Sequence, residues 1–334
     1  MYSDGDITSA VEAGVMTNED AAAFRNFIAE KRHTPAVDEE HFRLITGFND
    51  IFVVIACLLL LISITWIGES VTLAVGVLLQ TVTAWALAEY FIRKRRMALP
   101  SIVLLLAFVG GVVATGILFL KDSGLSEEII VGVPSAAAAI SAWLHWLRFK
   151  VPITVAAGTA ALVAGVMMLL FALVPEARKW MVPITFTAGI VVFMAAMYWD
   201  GSDTQRQTRR SDVAFWLHLI AAPLIVHPVF SVLEIFDAQL GLWQAGAVTA
   251  LYVIIAIVSI SIDRRALMVS ALVYVLYAFN TLLEQYGVVS LGFAFTAFSI
   301  GSGLLLLSAF WHVCRQAIVE HYPQFIQQRL PLLR

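Results

Sequence analysis

The chain has 334 residues, 60% of them hydrophobic and 13% charged, with a mean hydropathy of +0.86. Soluble domains run at about 45–50% apolar and about 25% charged residues, so a water-soluble body of this length is excluded. A net charge of −3 and a pI near 6.2 leave no basic footprint for nucleic acid. Cys57 and Cys314, far apart in apolar or juxtamembrane sequence, exclude a disulfide framework or a thiolate metal site.

Residues 1–50 precede the first apolar run and read as a small cytoplasmic helical hairpin with a linker. Asp6 is expected to open a short helix through Ala13 that stops at Gly14, and Thr17 to cap a second helix. Glu19 and Asp20 then fall in the first turn, where the helix dipole favours them. Phe24, Phe27 and Ile28 share one face at i, i+3, i+4. A hairpin this small buries too little to stand alone, so residues 1–36 are expected to dock on the membrane domain, on a second copy or on a cytoplasmic partner. Thr34-Pro35-Ala36 reads as the linker, and Asp38 to Arg43 as the lead-in to the membrane. The acidic start and the late first apolar run predict neither a cleavable signal peptide nor a transit peptide.

A hydrocarbon core about 30 Å thick needs about 20 apolar residues per helix. Ten segments meet that length: 51–67, 71–92, 99–120, 129–147, 151–173, 181–199, 213–233, 243–262, 266–283 and 288–310. Unbroken apolar runs predict an all-α polytopic membrane protein and not a barrel. Turns such as Gly68-Glu69-Ser70, Lys121-Asp122-Ser123-Gly124 and Glu284-Gln285-Tyr286-Gly287 punctuate the runs.

Loop cations orient the chain. With the N-terminus inside, Arg25, Lys31, Arg32 and Arg43, residues 93–96, Arg148, Lys150, Arg206, Arg209, Arg210, Arg264, Arg265, Arg315, Arg329 and Arg334 are cytoplasmic. Only Lys121, Arg178 and Lys179 lie outside, an 18:3 split that places both termini in the cytoplasm of a bacterial-type inner membrane.

Self-comparison reveals an internal repeat. Arg95-Arg96-Met97-Ala98-Leu99-Pro100-Ser101 is echoed 169 residues later by Arg264-Arg265-Ala266-Leu267-Met268-Val269-Ser270. Span 4 ends in Ser141-Ala142-Trp143-Leu144-His145-Trp146-Leu147-Arg148, and span 10 in Ser308-Ala309-Phe310-Trp311-His312-Val313-Cys314-Arg315. The division is therefore 51–147 for repeat 1 (spans 1–4), 148–210 for a two-span insert, and 211–316 for repeat 2 (spans 7–10). An interfacial amphipathic tail broken at Pro323 follows over 317–334. Four spans per repeat make the copies parallel, as in several transporter folds; duplication of a stable four-helix unit is the alternative.

Ionisable and kinked positions inside spans are where function is sought. Span 7 carries His218, Pro223, His227 and Pro228, and each proline deprives the carbonyl four residues back, Leu219 or Leu224, of its helical partner. His218 and His227 face opposite sides of a straight helix and cannot share a metal. Span 7 is expected either to wall a substrate path, joined by Gln80 and Asn280, or to be a structural kink. His145 with Arg148 and His312 with Arg315 form a matched pair near the cytoplasmic headgroup level. They read as a proton relay, an anionic-headgroup site or axial ligands, or as interfacial histidines within the aromatic belt of Trp143, Trp146 and Trp311. Glu89 is expected to pair with Arg93 four residues on. No P-loop, HExxH, zinc-finger spacing or GxSxG elbow occurs, which argues against an ATP-driven pump or a membrane metalloprotease.

The stretch Val11-Glu12-Ala13-Gly14-Val15-Met16-Thr17-Asn18-Glu19-Asp20-Ala21 resembles the helical hairpin that opens a family of uncharacterised bacterial multi-pass membrane proteins. Ala88-Glu89-Tyr90 to Pro100 and Asp263-Arg264-Arg265-Ala266-Leu267 resemble the body of that family. The resemblance implies a bacterial inner-membrane setting and no site. The expected function is an integral inner-membrane protein in contact with membrane lipids, transporter-like or lipid-interacting, not an enzyme, with no cofactor and no metal. A non-transporting scaffold or sensor that uses the N-terminal hairpin is the alternative, and an intramembrane haem or redox protein a weaker one.

Overall fold

A computed structural model of the chain describes residues 4–32, 48–204, 206, 208–233, 242–285, 292–327, 330 and 331, and all regular structure among them is helical. The expected linker 34–36, the lead-in 38–43, Tyr286-Gly287, the first residues of span 10, Arg329 and Arg334 lie outside the described residues.

Residues 1–41 form one compact unit. Helix α1 spans Asp4–Glu12 and α2 spans Asn18–Arg32. Gly14 takes the left-handed conformation, φ +72°, that ends a helix without a side-chain clash. The Thr17 hydroxyl accepts the Asp20 amide at 3.1 Å, and Asp20 reaches back to the Thr17 hydroxyl and amide at 2.6 and 3.3 Å. That reciprocal box satisfies amides the helix itself cannot.

Residues 42–334 form the second unit. Its helices are α3 Phe48–Glu69, α4 Leu73–Ala88, α5 Ala98–Leu120, α6 Glu127–Phe149, α7 Ile153–Leu173, α8 Met181–Gly201, α9 Arg209–Ser231, α10 Leu242–Ile262, α11 Ala266–Gln285, α12 Gly292–Ala309, α13 Trp311–Val319 and α14 Gln324–Gln327. A π-helical turn, Glu89–Lys94, continues α4, and a 3-10 turn, Pro175–Trp180, leads into α8. Seven of these, α3 to α9, are long and apolar enough to cross a membrane. An eighth is added if residues 297–309 of α12 and α13, bent by 69°, count as one span. Within α10 and α11, the apolar stretches Gly246–Ile262 and Ala266–Thr281 are shorter. Among the described residues, seven or eight helices long and apolar enough to cross thus stand against the ten spans expected. The helix expected over 288–310 breaks at Phe310 because Trp311 turns inward: its indole is 1% exposed and packs with Ile260 and Met268.

Helices adjacent in sequence pack on one another, α3 on α4, α4 on α5, α5 on α6, α6 on α7 and α8 on α9. Half of the apolar window of α9 is buried, against 17–33% for the other six full-length spans, so α9 is the central helix. It packs on α7, α8 and α11. Both of its prolines lie inside one continuous helix. A Cβ on Gly189 of α8 would sit 2.8 Å from the Leu224 carbonyl carbon, so glycine lets α8 close on α9 where Pro228 has freed that carbonyl. Large apolar side chains such as Leu59, Val82 and Ile140 face outward, as lipid-facing helices require.

The ends of α4, α6, α8 and α10 share one end of the bundle. Glu89 joins Arg148, Trp146 and Val155 pack on the cluster of Val213 and Leu217, and Asp200 joins Arg264. The Arg95-Arg96 and Arg264-Arg265 turns therefore lie at the same end. Each turn there contains a charged residue in the left-handed region: Arg96 (φ +51°), Lys150 (+55°), Arg206 (+55°) and Asp263 (+57°).

Candidate functional site: a buried charge network

The last residue of the α8 apolar run before Gly201 is Asp200, 1% exposed. The loop after it is fixed by Asp203, whose carboxylate accepts from the Thr208 amide at 2.8 Å and hydroxyl at 2.7 Å. Thr208 in turn caps α9 by accepting the Arg210 amide at 3.2 Å. This brings Ser211 and His218 of α9 opposite Asp200. Arg264, in the turn between α10 and α11, reaches in from the other side, its carbonyl accepting the Ser259 hydroxyl.

Arg264 donates to Asp200 from Nη2 (Oδ1, 2.5 Å) and Nε (Oδ2, 3.1 Å), and Nη2 also reaches the Ser211 hydroxyl at 3.0 Å and carbonyl at 3.2 Å. His218 Nε2 lies 3.1 Å from Asp200 Oδ2. An ionised carboxylate only accepts, so Nε2 is the donor of this pair and Nδ1 is the ring nitrogen left over. That nitrogen is buried and has no hydrogen-bond partner among the described residues. The Phe193 ring stands edge-on to the imidazole at 5.3 Å.

A second carboxylate extends the network. Asp263 Oδ2 accepts from Arg206 Nη1 at 2.9 Å, and Oδ1 accepts from Trp311 Nε1 at 2.7 Å. Arg206 Nη2 also donates to the Asp263 carbonyl at 3.0 Å. Arg315 of α13 lies 3.9 Å from Asp263 Oδ1 and donates to the Pro331 carbonyl at 2.5 Å, drawing the chain's tail into the same cluster. Burial pushes the Arg206 guanidinium down to about 10, the nearby Arg264 charge adding to the shift, and it remains a cation at neutral pH. Three arginines, two aspartates and His218 thus join α8, α9, the α10–α11 turn, α13 and the tail.

The residues expected to line one path sit at separate interfaces. Gln80 Nε2 donates to the Ala107 carbonyl at 3.1 Å and bridges α4 to α5. Asn280 is half-buried in α11. His227, exposed where His218 is buried, accepts or donates a 2.7 Å bond to the Tyr274 hydroxyl, whose ring stacks on Phe230. Pro223 faces outward and Pro228 inward. Among the described residues no group of three or more His, Cys, Asp or Glu is placed to hold a metal ion.

The matched pair expected of His145 and His312 divides. His145 is fully buried against Trp85, Phe108 and Phe149, with Nδ1 3.2 Å from the Thr154 hydroxyl, whereas His312 is exposed on α13. Conversely, Arg148 is exposed and forms a bidentate pair with Glu89 (2.8 and 3.0 Å), whereas Arg315 is buried. Glu89 was expected to pair with Arg93; that pair exists at 3.6 Å, but Arg148 of α6 is the closer partner. Arg206, Arg264 and Arg315, counted as loop cations, prove to be buried. Sequence reasoning missed Asp200 and Asp263, whose signal is a charge set directly against the end of an apolar run (Tyr198-Trp199-Asp200; Ile260-Ser261-Ile262-Asp263).

No protein family matches the chain, and neither a curated protein nor a solved structure does.

Proposed function

We propose that the chain is a transporter-like integral protein of a bacterial inner membrane, non-enzymatic, crossing ten times with both termini cytoplasmic, and that His218 is its proton-handling group. The observation that carries this reading is the buried set in which Asp200 of α8 meets His218 of the central helix α9 and Arg264 of the α10–α11 turn. Ionisable groups at such positions cost free energy and are retained where a path or relay needs them. His218 holds a proton toward Asp200 and offers Nδ1 to a second one. The positive charge so gained faces Asp200, and Arg264 keeps that carboxylate ionised and oriented.

The ten crossings count α10 and α11, with 21 and 20 residues, as spans; at 1.5 Å per residue each is about 30 Å long. The bent α12–α13 pair is the tenth. In support of a parallel repeat, α5 packs on α3, α4 and α6 as α11 packs on α9, α10 and α12. Orientation rests on the exposed cations Arg93 to Arg96, Arg148, Lys150, Arg209 and Arg210 at one end. The resemblance of Val11 to Ala21 and of Asp263 to Leu267 to bacterial multi-pass proteins, as read from the sequence, points to the same setting.

The test is proton entry into vesicles that contain the purified protein and a trapped pH dye, driven by a potassium diffusion potential. The wild type is expected to acidify the lumen faster than protein-free vesicles, and His218→Gln to lower that rate at least tenfold while eluting as a folded species. Equal rates with and without protein would remove the reading. The scaffold alternative draws support from Phe24 and Phe27, exposed on α2; it predicts that deletion of residues 1–36 abolishes partner binding and leaves proton entry unchanged.

A further inference from the structure

The turn from α4 to α5 and the turn from α6 to α7 lie together, because Phe149 and Val151 pack on the cluster that holds Ala88 and Ile92. Between them they expose Arg93, Lys94, Arg95, Arg96, Arg148 and Lys150. Glu89 engages two of these, Arg148 and Arg93. Lys94, Arg95, Arg96 and Lys150 have no carboxylate partner among the described residues.

Three of those four cations are steadied over aromatic rings. Lys94 and Arg95 stand 5.9 Å from the centre of the Tyr90 ring, and Lys150 stands 5.3 Å from that of Trp146. The fourth, Arg96, and Lys150 as well hold left-handed backbone at positions where glycine is the unstrained choice. The π-helical turn at Glu89–Lys94 shifts the helical register there, a feature frequent at functional sites. The last two turns of α6, which carry Arg148 and lead into Lys150, also expose Trp143, Leu144 and Leu147. A cationic cap above an outward apolar face is the shape that a phospholipid complements, phosphate against the cations and acyl chain along the leucines.

We infer that the α4–α5 and α6–α7 turns form a binding site for an anionic phospholipid headgroup, with Lys94, Arg95, Arg96 and Lys150 as its phosphate ligands. The site is separate from the His218 network and rests on the membrane placement proposed above, not on transport. Failure of the full chain to sediment with membranes would sink that placement on its own, before any lipid is tested.

The experiment titrates the detergent-purified full chain with phosphatidylglycerol or phosphatidylcholine and counts bound lipid by native mass spectrometry. Phosphatidylglycerol is expected to bind at least tenfold more tightly than phosphatidylcholine. The combined variant Lys94→Gln, Arg95→Gln, Arg96→Gln, Lys150→Gln is expected to lose that preference. The control variant Arg209→Gln, Arg210→Gln, which removes exposed cations at the same end, is expected to keep it. Equal binding of both lipids, equal loss in both variants, or displacement by equimolar inorganic phosphate would each overturn the site. Should the four-residue variant fail to fold, the pair Arg95→Gln, Arg96→Gln alone is expected to weaken phosphatidylglycerol at least threefold, and unchanged affinity there also overturns it.

Discussion

Arg264 and Asp200, sixty-four residues apart, meet through two hydrogen bonds, Nη2 to Oδ1 at 2.5 Å and Nε to Oδ2 at 3.1 Å, with both side chains almost fully buried. A buried pair gives little net stability against an apolar substitute, but removal of one member strands the other charge and costs about 3–5 kcal/mol. Arg264→Gln and Asp200→Asn are each expected to destabilise by about that much in detergent unfolding. The double variant is expected to cost clearly less than the sum, because it leaves no stranded charge. Additive losses would mean that the two residues act independently.

Arg206 and Asp263 form the second pair, and both adopt left-handed backbone to do so. Such a conformation costs roughly 1–2 kcal/mol in a residue that bears a Cβ, a cost the paired side chains offset. The pH dependence follows from the Arg206 shift. The unfolded chain keeps the proton to a higher pH than the folded chain, which holds it only up to about 10, so loss of the proton favours the fold and this contribution to stability rises only above about 10. Between pH 6 and 9 the guanidinium is charged in both states. The destabilisation caused by Arg206→Gln is therefore expected to be the same at pH 6 and pH 9, as compared by thermal unfolding. A loss that doubles across that range would place the titration elsewhere.

Capping and crossing were readable from local pattern. Thr17, Gly14 and the apolar runs of α3 to α9 are specified by residues three or four apart, or by a single run about 20 residues long. The charge network was not readable, because the bonds of its carboxylates to Arg206, Arg264 and Trp311 join residues 48 to 64 positions apart, and even Asp200 and His218 are 18 apart. A charge at the end of an apolar run has the same sequence appearance whether it meets water or turns under a neighbouring helix; Asp263-Arg264-Arg265 reads as an ordinary cytoplasmic turn. His218 was visible as an ionisable residue within a span, but its partner Asp200 was not. His145 and His312 share spacing to an arginine, yet the bend at Phe310 separates α12 from α13 and gives the two histidines different surroundings.

His145 tests whether a buried imidazole with one unpartnered nitrogen matters for packing or for protons. Its ring is enclosed by Trp85, Phe108 and Phe149, and Nε2 has no hydrogen-bond partner among the described residues. If shape is what the site demands, His145→Phe keeps a flat aromatic ring, only slightly larger, and forfeits one hydrogen bond to Thr154, a loss of about 1 kcal/mol. His145→Ala opens a cavity and is expected to cost about 3–5 kcal/mol, as for other large buried rings. Proton entry into vesicles is expected to be unchanged in His145→Phe. A rate that falls while stability holds would move His145 from the core into the relay.

Gly110 and Gly111 are neighbours in α5 with opposite surroundings. A Cβ on Gly110 would meet nothing within 4 Å, whereas one on Gly111 would strike the Thr81 hydroxyl and lie 3.1 Å from the Thr81 Cβ. Thr81 cannot swing aside freely, since it is β-branched and its hydroxyl donates to the Val77 carbonyl at 2.7 Å. Alanine at 110 removes the flexibility of a mid-helix glycine and is expected to stabilise by roughly 0.5–1 kcal/mol. Alanine at 111 forces α4 and α5 apart and is expected to destabilise by roughly 1–3 kcal/mol. It would also stretch the nearby Gln80–Ala107 bond between the same helices. Thermal unfolding of the two single variants, side by side, reads both signs. Equal shifts would mean that α4 does not approach α5 at Thr81.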